Sequence, residues 1–209
     1  MNARTERLEI AGAAGRIQLL RDQPPGTPRG TAVITHPHPL YGGTMDNKVV
    51  QTLARAFVQA GWTALRFNFR GVGASEGSYD EGRGEALDLQ AVVRQLAPEG
   101  VLALAGFSFG AFVAAQGVQA LWDSRDVRFI VLVGTAATNF AVPPLPPDSH
   151  ERALVIHGER DETVPLPAVL DWARPQSLPV TVVPGVEHFF HGQLPLLKTL
   201  VVRHLRTQE

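Results

Sequence analysis

Three polar residues, Ser108, Asp161 and His188, follow one another along the chain in an order that could support nucleophilic catalysis. A serine hydroxyl is a weak nucleophile at neutral pH, so it needs a histidine to remove its proton and a carboxylate to orient that histidine. These residue types therefore predict attack on an acyl carbonyl, provided that the fold brings the three side chains together.

The sequence around Ser108 predicts a tight turn between a strand and a helix. Ser108 is flanked by glycines in GFSFG, after the apolar run 101–107 and before a segment that is apolar on nearly all sides, as expected of a helix buried against a sheet. Glycine on both sides of the serine lets strand and helix crowd together. The Phe109 amide would then face an oxyanion. The alternative is an ordinary glycine-rich turn.

The candidate carboxylate, Asp161, lies in the sequence IHGERDETVP directly after the predicted strand 153–158. From there its side chain could reach the edge of a sheet at which strands end. The alternative is a loop aspartate that caps a helix beginning near Pro165. Glu159 and Glu162 are neighbouring carboxylates that we expect to be solvated.

The candidate base, His188, follows the last predicted strand in the sequence VVPGVEHFFHG. We prefer it to His191 because His188 comes sooner after the strand, whereas His191 falls near the start of the last predicted helix. Phe189, directly after His188, would shield the site. We expect packing or surface roles for three other histidines, His150, His157 and His204.

The loop THPHPLYGGTMD, after the predicted strand 31–36, is expected to supply a second amide to the oxyanion. Pro37 and Pro39 have no N–H and cannot serve. Leu40 carries the first free amide after the second His-Pro step, and Tyr41 is the alternative donor. The candidates for contact with a substrate are Tyr41, Gly42, Phe107 and Phe189.

The same loop contains His36 and His38, a His-x-His pair at a strand end, which can indicate a metal site. No clear set of further ligands accompanies the pair in the sequence, so we expect neither a metal nor another cofactor. We expect both histidines to hold the proline-stiffened loop through hydrogen bonds.

Short β-type runs alternate with helical patterns through most of the chain. The segments RLEIAG and GRIQLLRD flank GAAG and predict an opening hairpin. In the first helical pattern we expect Asp46 as the N-cap and Gly61 as the stop. Further strands are predicted at 31–36, 63–69, 101–107, 128–134, 153–158 and 180–185.

This alternation predicts an α/β fold with a mostly parallel sheet of about eight strands, helices on both faces and an antiparallel hairpin at one edge. The 209 residues suit one globular domain, 1–209. Ligands of such sheets bind beyond the carboxyl ends of the strands. Ser108, Asp161 and His188 are all predicted to lie there.

The composition excludes several kinds of site and partner. The chain has no cysteine, which excludes disulfides, thiolate ligands and a cysteine nucleophile. A net charge of −1 gives no reason to expect a nucleic acid or an anionic membrane as a partner. No apolar stretch is long enough to span a membrane, and the first residues lack the apolar core of a signal peptide. We therefore expect a cytoplasmic protein, with no prediction about its oligomeric state.

Four segments together resemble those of the small lidless bacterial α/β-hydrolases, serine hydrolases of a carboxylesterase- or dienelactone-hydrolase-like subgroup. The segments are HPHPLYGGTMDNKVV, FNFRGVGASEG, GFSFG and GERDETVP, and the resemblance covers most of the chain. It implies the three-layer α/β-hydrolase fold, with the three residues named first as the catalytic triad. It also implies that the loop 69–77 packs beside the serine turn, with structural roles for Arg70 and Ser75.

The resemblance implies hydrolysis of esters or related acyl compounds. We expect small carboxylic esters or thioesters as substrates, because only residues 135–152 separate two strands where larger relatives insert a helical cap, which leaves the site open. An acyltransferase, a peptidase or a carbon–carbon hydrolase could use the same three residues. A binding module on a hydrolase scaffold is the alternative outside enzymes, although such a module would be free to lose one of the three residues.

Overall fold

The computed structural model describes residues 5–206 and contains one sheet with the strand order β1-β2-β4-β3-β5-β6-β7-β8. The strands are Thr5–Gly12 (β1), Gly15–Asp22 (β2), Thr31–Thr35 (β3), Thr63–Phe67 (β4), Leu102–Phe107 (β5), Val127–Val133 (β6), Ala153–Gly158 (β7) and Val180–Val183 (β8). The helices are Lys48–Gln59 (α1), Arg83–Leu96 (α2), Phe109–Leu121 (α3), Leu166–Ala173 (α4) and Leu194–Arg206 (α5). The opening hairpin is antiparallel and β3 to β8 pair in parallel, which confirms the predicted sheet.

Alternate residues of the central strands face two different helical layers. In β5, Leu102 and Leu104 pack in the core beneath α2, α3 and α4, whereas Ala103 and Ala105 pack in the core beneath α1 and α5. A parallel strand that is buried on both faces has no solvent-facing side, so its residues are apolar without a break. This arrangement confirms the three-layer α/β fold.

Helix α1 begins one residue later than the sequence pattern predicts. Its N-cap is Asn47, whose Oδ1 accepts hydrogen bonds from the amides of Val49 at 2.9 Å and Val50 at 3.5 Å. The prediction of Asp46 as the N-cap was therefore wrong. The Asp46 carboxylate instead lies 3.4 Å from the Arg66 guanidinium. Aspartate and asparagine cap helices about equally well, so residue type could not separate these neighbours.

Strand β4 ends at Phe67, two residues earlier than predicted, and the following loop packs beside the Ser108 turn. Ser75 Oγ donates a hydrogen bond to the Asn68 carbonyl at 2.7 Å. The Arg70 guanidinium makes two hydrogen bonds to Asp88 of α2, at 3.0 and 2.8 Å. These contacts hold the loop against the body, in agreement with the structural roles implied for Arg70 and Ser75.

Residues 135–152, between β6 and β7, lie on the body of the protein as a short strap. The strap ends in the 3₁₀ helix Pro147–Arg152. The Leu145 side chain is buried and its amide donates to Gln176 Oε1 at 2.7 Å, which ties the strap to the end of α4. The segment therefore forms no cap, as predicted. No helix in residues 5–206 combines the length and the apolar character needed to cross a membrane.

We expect Asp88→Ala to lower the free energy of unfolding by about 2–3 kcal/mol, because it removes the charged hydrogen-bond partner of the partly buried Arg70 guanidinium. Urea denaturation measures this loss. The control is Asp80→Ala, which removes an exposed carboxylate 2.9 Å from Arg83 and should cost no more than about 1 kcal/mol. Equal losses in the two variants would contradict the expectation.

Candidate active site

Ser108 sits in a strained turn between β5 and α3. Its φ of 58° lies in the left-handed region, which a residue with a side chain rarely adopts. A Cβ atom at Gly106 would overlap the Gly110 carbonyl oxygen, and a Cβ atom at Gly110 would overlap that of Thr35. Both glycines of GFSFG are therefore required by the close approach of strand and helix, and the strain is concentrated at the serine between them.

The fold brings Ser108, Asp161 and His188 together, although they are far apart in sequence. His188 Nε2 lies 3.0 Å from Ser108 Oγ, and His188 Nδ1 lies 2.6 Å from Asp161 Oδ2. All three residues are nearly buried, with exposed fractions of 7% for Ser108, 5% for Asp161 and 3% for His188. These distances allow the carboxylate to hold Nδ1–H while Nε2 faces the hydroxyl, as proton removal from the serine requires.

The two carboxylate oxygens of Asp161 have different partners. Oδ1 accepts hydrogen bonds from the amides of Thr163 at 3.0 Å and Val164 at 2.7 Å, while Oδ2 faces His188. Asp161 thus closes a turn ahead of α4 and does not cap that helix, which begins at Leu166 without a side-chain cap.

The neighbouring carboxylates and the alternative histidine lie outside the group. Glu159 and Glu162 are exposed, and Glu159 accepts a hydrogen bond from the Gly185 amide at 2.7 Å. His191 is exposed and its Nδ1 lies 3.0 Å from Glu187 Oε1. Position after the strand therefore distinguished His188 from His191, as the sequence argument assumed.

The His188 ring rests on Phe107, the residue before the serine. The two ring centroids are 4.8 Å apart, and Phe107 is fully buried. Phe107 therefore supports the histidine from within the core and cannot contact a substrate. The expectation that it lines the substrate site was wrong, because a residue of β5 that precedes the turn still points into the core.

His36 and His38 hold the loop after β3 through their ring nitrogens. His36 Nε2 accepts a hydrogen bond from the Phe69 amide at 3.0 Å, and Nδ1 donates to the Pro37 carbonyl at 2.7 Å. Burial lowers the pKa of His36 from 6.5 to about 4, so the ring is neutral. His38 Nδ1 accepts from the Leu40 amide at 3.2 Å. In the described chain, no three histidine or acidic side chains are arranged to hold a metal ion.

The two amides considered for the second oxyanion donor, Leu40 and its alternative Tyr41, are already engaged within their own loop. The Leu40 amide donates to His38 Nδ1, and the Tyr41 amide donates to the His38 carbonyl at 3.2 Å. The structure therefore does not offer the amide of Leu40 as a free donor. Within residues 5–206, the backbone amide of His38 has no hydrogen-bond acceptor. The centroid of the His38 ring lies 5.0 Å from that of the Phe109 ring. The sequence already offered this backbone amide as a candidate donor, because His38 lies between Pro37 and Pro39 and, unlike them, carries an N–H.

Comparisons with known proteins identify the family. An α/β serine hydrolase without a lid from Xanthomonas campestris has 36% sequence identity, covering 100% of this chain and 96% of that chain, with a TM-score of 0.86. A Coxiella burnetii α/β serine hydrolase homologue has 39% identity, covering 96% and 97%, with a TM-score of 0.81. The chain belongs to the lidless α/β serine hydrolases.

Other comparisons add one relative of similar distance. An uncharacterized protein of Rickettsia prowazekii is 33% identical over 199 residues, which is 86% of this chain and 79% of that protein. No protein-family model matches the sequence. The family assignment therefore depends on these relatives and agrees with the short strap over residues 135–152.

In this lidless hydrolase, apolar side chains are exposed on the loops that follow β3 and β8. Leu40 is 66% exposed, Tyr41 is 86% exposed, and Phe189 is 41% exposed beside the His188 ring. Gly42, with a φ of 77°, ends the short 3₁₀ turn that carries Leu40 and Tyr41. Leu40, Tyr41 and Phe189 are together called the open apolar rim.

His157, for which a packing or surface role was expected, lies beside the candidate carboxylate Asp161. His157 is fully buried in β7, and its Nε2 lies 2.9 Å from the Val164 carbonyl and 3.4 Å from Asp161 Oδ2. In this lidless hydrolase the carboxylate thus has a histidine on each side. The four-residue spacing from Asp161 was visible in the sequence, but a turn had to bring the two side chains together.

We expect His36→Gln to flatten the dependence of stability on pH between 6.5 and 4. Folded His36 takes up its proton near pH 4, whereas an unfolded histidine does so near 6.5. Its contribution to the free energy of unfolding is complete above pH 6.5 and is lost as the pH falls towards 4, by about 1.4 kcal/mol per pH unit. Urea titrations across this range compare the two slopes. Parallel pH profiles for wild type and variant would count against this account.

Proposed function

We propose that the protein is a serine esterase or thioesterase that hydrolyses small acyl substrates through an acyl-enzyme intermediate. The observation that carries the proposal is the continuous contact from Asp161 through His188 to Ser108, at 2.6 and 3.0 Å. Membership of the lidless α/β serine hydrolases supports the same reaction class.

Acylation begins with the Ser108 hydroxyl. As Oγ forms a bond to the acyl carbon, its proton passes to His188 Nε2 and the carbonyl electron pair moves onto oxygen. Asp161 keeps Nδ1 protonated, so that the lone pair of Nε2 faces the hydroxyl, and its charge stabilises the imidazolium that forms. The left-handed backbone at Ser108 presents Oγ at the carboxyl edge of the sheet, where a substrate can reach it.

The oxyanion needs two donors placed where charge develops. We assign the first to the Phe109 amide, at the N-terminus of the 13-residue helix α3, where the helix dipole favours negative charge. We assign the second to the His38 amide, in place of the Leu40 amide. The His38 amide has no hydrogen-bond acceptor within residues 5–206, and the His38 ring packs against Phe109.

The tetrahedral intermediate collapses when the bond from carbon to the leaving oxygen or sulfur breaks. His188 gives its proton to the leaving alcohol or thiol, and the acyl group stays on Ser108. Water then attacks the acyl-enzyme as His188 Nε2 takes its proton, and the acid is released when the bond to Oγ breaks and Oγ recovers that proton. The reaction balances without a metal or a redox cofactor.

The open apolar rim supports small acyl groups as substrates. Leu40, Tyr41 and Phe189 offer apolar contact at the surface, and the strap over 135–152 does not extend into a cap that could enclose a long chain. Affinity from apolar burial grows with the area removed from water, so an open rim gains little from additional methylenes. Short esters and thioesters are therefore favoured.

We expect Ser108→Ala to lower ester turnover by at least ~10³-fold, because the covalent route is removed while oxyanion donors and binding contacts remain. Turnover of p-nitrophenyl acetate and labelling by a fluorophosphonate probe measure the effect. His191→Gln, which changes an exposed histidine, should keep both activities. Unchanged turnover in the alanine variant would reject the assignment, and failure of the folded wild type to label would favour a binding module.

Among p-nitrophenyl esters, we expect higher kcat/KM for acyl chains of about two to four carbons than for chains of about sixteen, because only a short chain is covered by the rim. Initial rates below the micelle-forming concentration of each ester measure the preference. Thioesters of the same acids compare the two leaving groups. A preference for the longest chains would overturn the proposed substrate class.

A further inference from the structure

One ring nitrogen of His157 has a hydrogen-bond acceptor and a carboxylate oxygen nearby, and the other has no hydrogen-bond partner. Nε2 lies 2.9 Å from the Val164 carbonyl oxygen and 3.4 Å from Asp161 Oδ2. Nδ1 is buried and has no hydrogen-bond partner within the described part of the chain. Both atoms near Nε2 can only accept, so Nε2 must carry the proton and Nδ1 must be the bare nitrogen.

Packing alone does not account for a histidine at this place. A buried polar atom without a partner costs about 1–3 kcal/mol, so an apolar side chain of similar size would be more stable if only volume mattered. Burial also lowers the pKa of His157, which keeps the ring neutral. The histidine supplies one N–H, which is directed towards Val164 and Asp161. An apolar residue could not supply this donor.

Val164 connects this N–H to the catalytic carboxylate. Its amide donates to Asp161 Oδ1 at 2.7 Å, and its carbonyl accepts from His157. His157 itself lies on β7, where it pairs with Val182 of β8, so it is held by the sheet. The loop that carries Asp161 is therefore tied to a rigid strand at Val164, with a second, longer contact at Oδ2.

We propose that His157 is a positioning residue for Asp161: its Nε2–H, held between the Val164 carbonyl and Asp161 Oδ2, fixes the carboxylate so that Oδ2 meets His188 Nδ1. The inference rests on the proposed function, because it assigns His157 a part in that reaction. It acts through Asp161 and does not touch the substrate.

The effect should fall on turnover more than on binding. A carboxylate that moves by up to about 1 Å no longer aligns His188 with Ser108, and such misplacement can cost up to about 100-fold in rate. The rim that would contact the substrate is formed by other loops and stays in place. A loss in kcat with little change in KM is therefore the signature of positioning.

The test compares His157→Leu, which keeps an apolar volume without the N–H, with His157→Gln, whose side-chain amide can donate from nearly the same place. We expect the leucine variant to lose ~10-fold or more in kcat on p-nitrophenyl acetate with KM changed less than ~2-fold, and the glutamine variant to recover most of the loss. Fluorophosphonate labelling rates of Ser108 should follow the same order.

The matched control is His204→Leu. His204 lies on α5, and its Nε2 lies 3.2 Å from the Arg152 carbonyl, so the control removes a histidine–carbonyl contact away from the triad. It should keep kcat. A folded His157→Leu protein with wild-type kcat, or a glutamine variant that loses as much as the leucine variant, would overturn the proposal.

A measurement on the wild-type protein needs no variant to fold. Nitrogen-15 NMR of the histidine rings reports which nitrogen is protonated, and we expect His157 to be neutral with its proton on Nε2 at pH 7. A proton on Nδ1, or on both nitrogens, would overturn the proposal. Failure of the proposed function would look different: the wild type would neither hydrolyse the ester nor label, while the ring tautomer could still be read.

Discussion

The close approach of β3, β5 and α3 at Ser108 is the constraint on which the candidate site depends. Gly106 and Gly110 leave no room for side chains, and the Thr35 hydroxyl lies 2.9 and 2.7 Å from the carbonyls of Ala105 and Gly110. With these backbones in contact, the chain can pass from strand to helix only through a left-handed residue. That residue carries the hydroxyl, and the helix that follows directs its first amides to the same place.

The second requirement is a buried carboxylate that is held in place beside a histidine. Asp161 is held by two backbone amides on one oxygen and by His188 on the other, so donors compensate for the water it has lost. The two amides belong to the loop after β7 and His188 belongs to the turn after β8, and His188 in turn contacts the strand–helix turn at Ser108. The sheet aligns these segments because parallel strands all end at one edge.

The loop after β3 is held by hydrogen bonds between its two histidine side chains and backbone groups. His36 and His38 form a pair that resembles part of a metal site, yet both ring nitrogens of His36 and the Nδ1 of His38 hydrogen-bond to backbone groups. His38 Nδ1 accepts a hydrogen bond from the Leu40 amide, whereas the His38 amide has no acceptor within residues 5–206. In the proposed mechanism, that His38 amide is the backbone N–H of this loop that faces the substrate oxyanion.

Much of the fold and of the candidate site could be predicted from the sequence. The alternation of apolar strands with helices determined the layered sheet, and the glycines around Ser108 marked the turn, because both depend on local patterns. Asp161 and His188 could be proposed because residues directly after parallel strands meet at one edge. Only the tertiary structure decided that Phe107 faces the core, that Asn47 caps α1, that the Leu40 amide is engaged and that His157 meets Asp161. Each of these depends on backbone direction and on contacts between distant segments, which residue type and spacing do not specify.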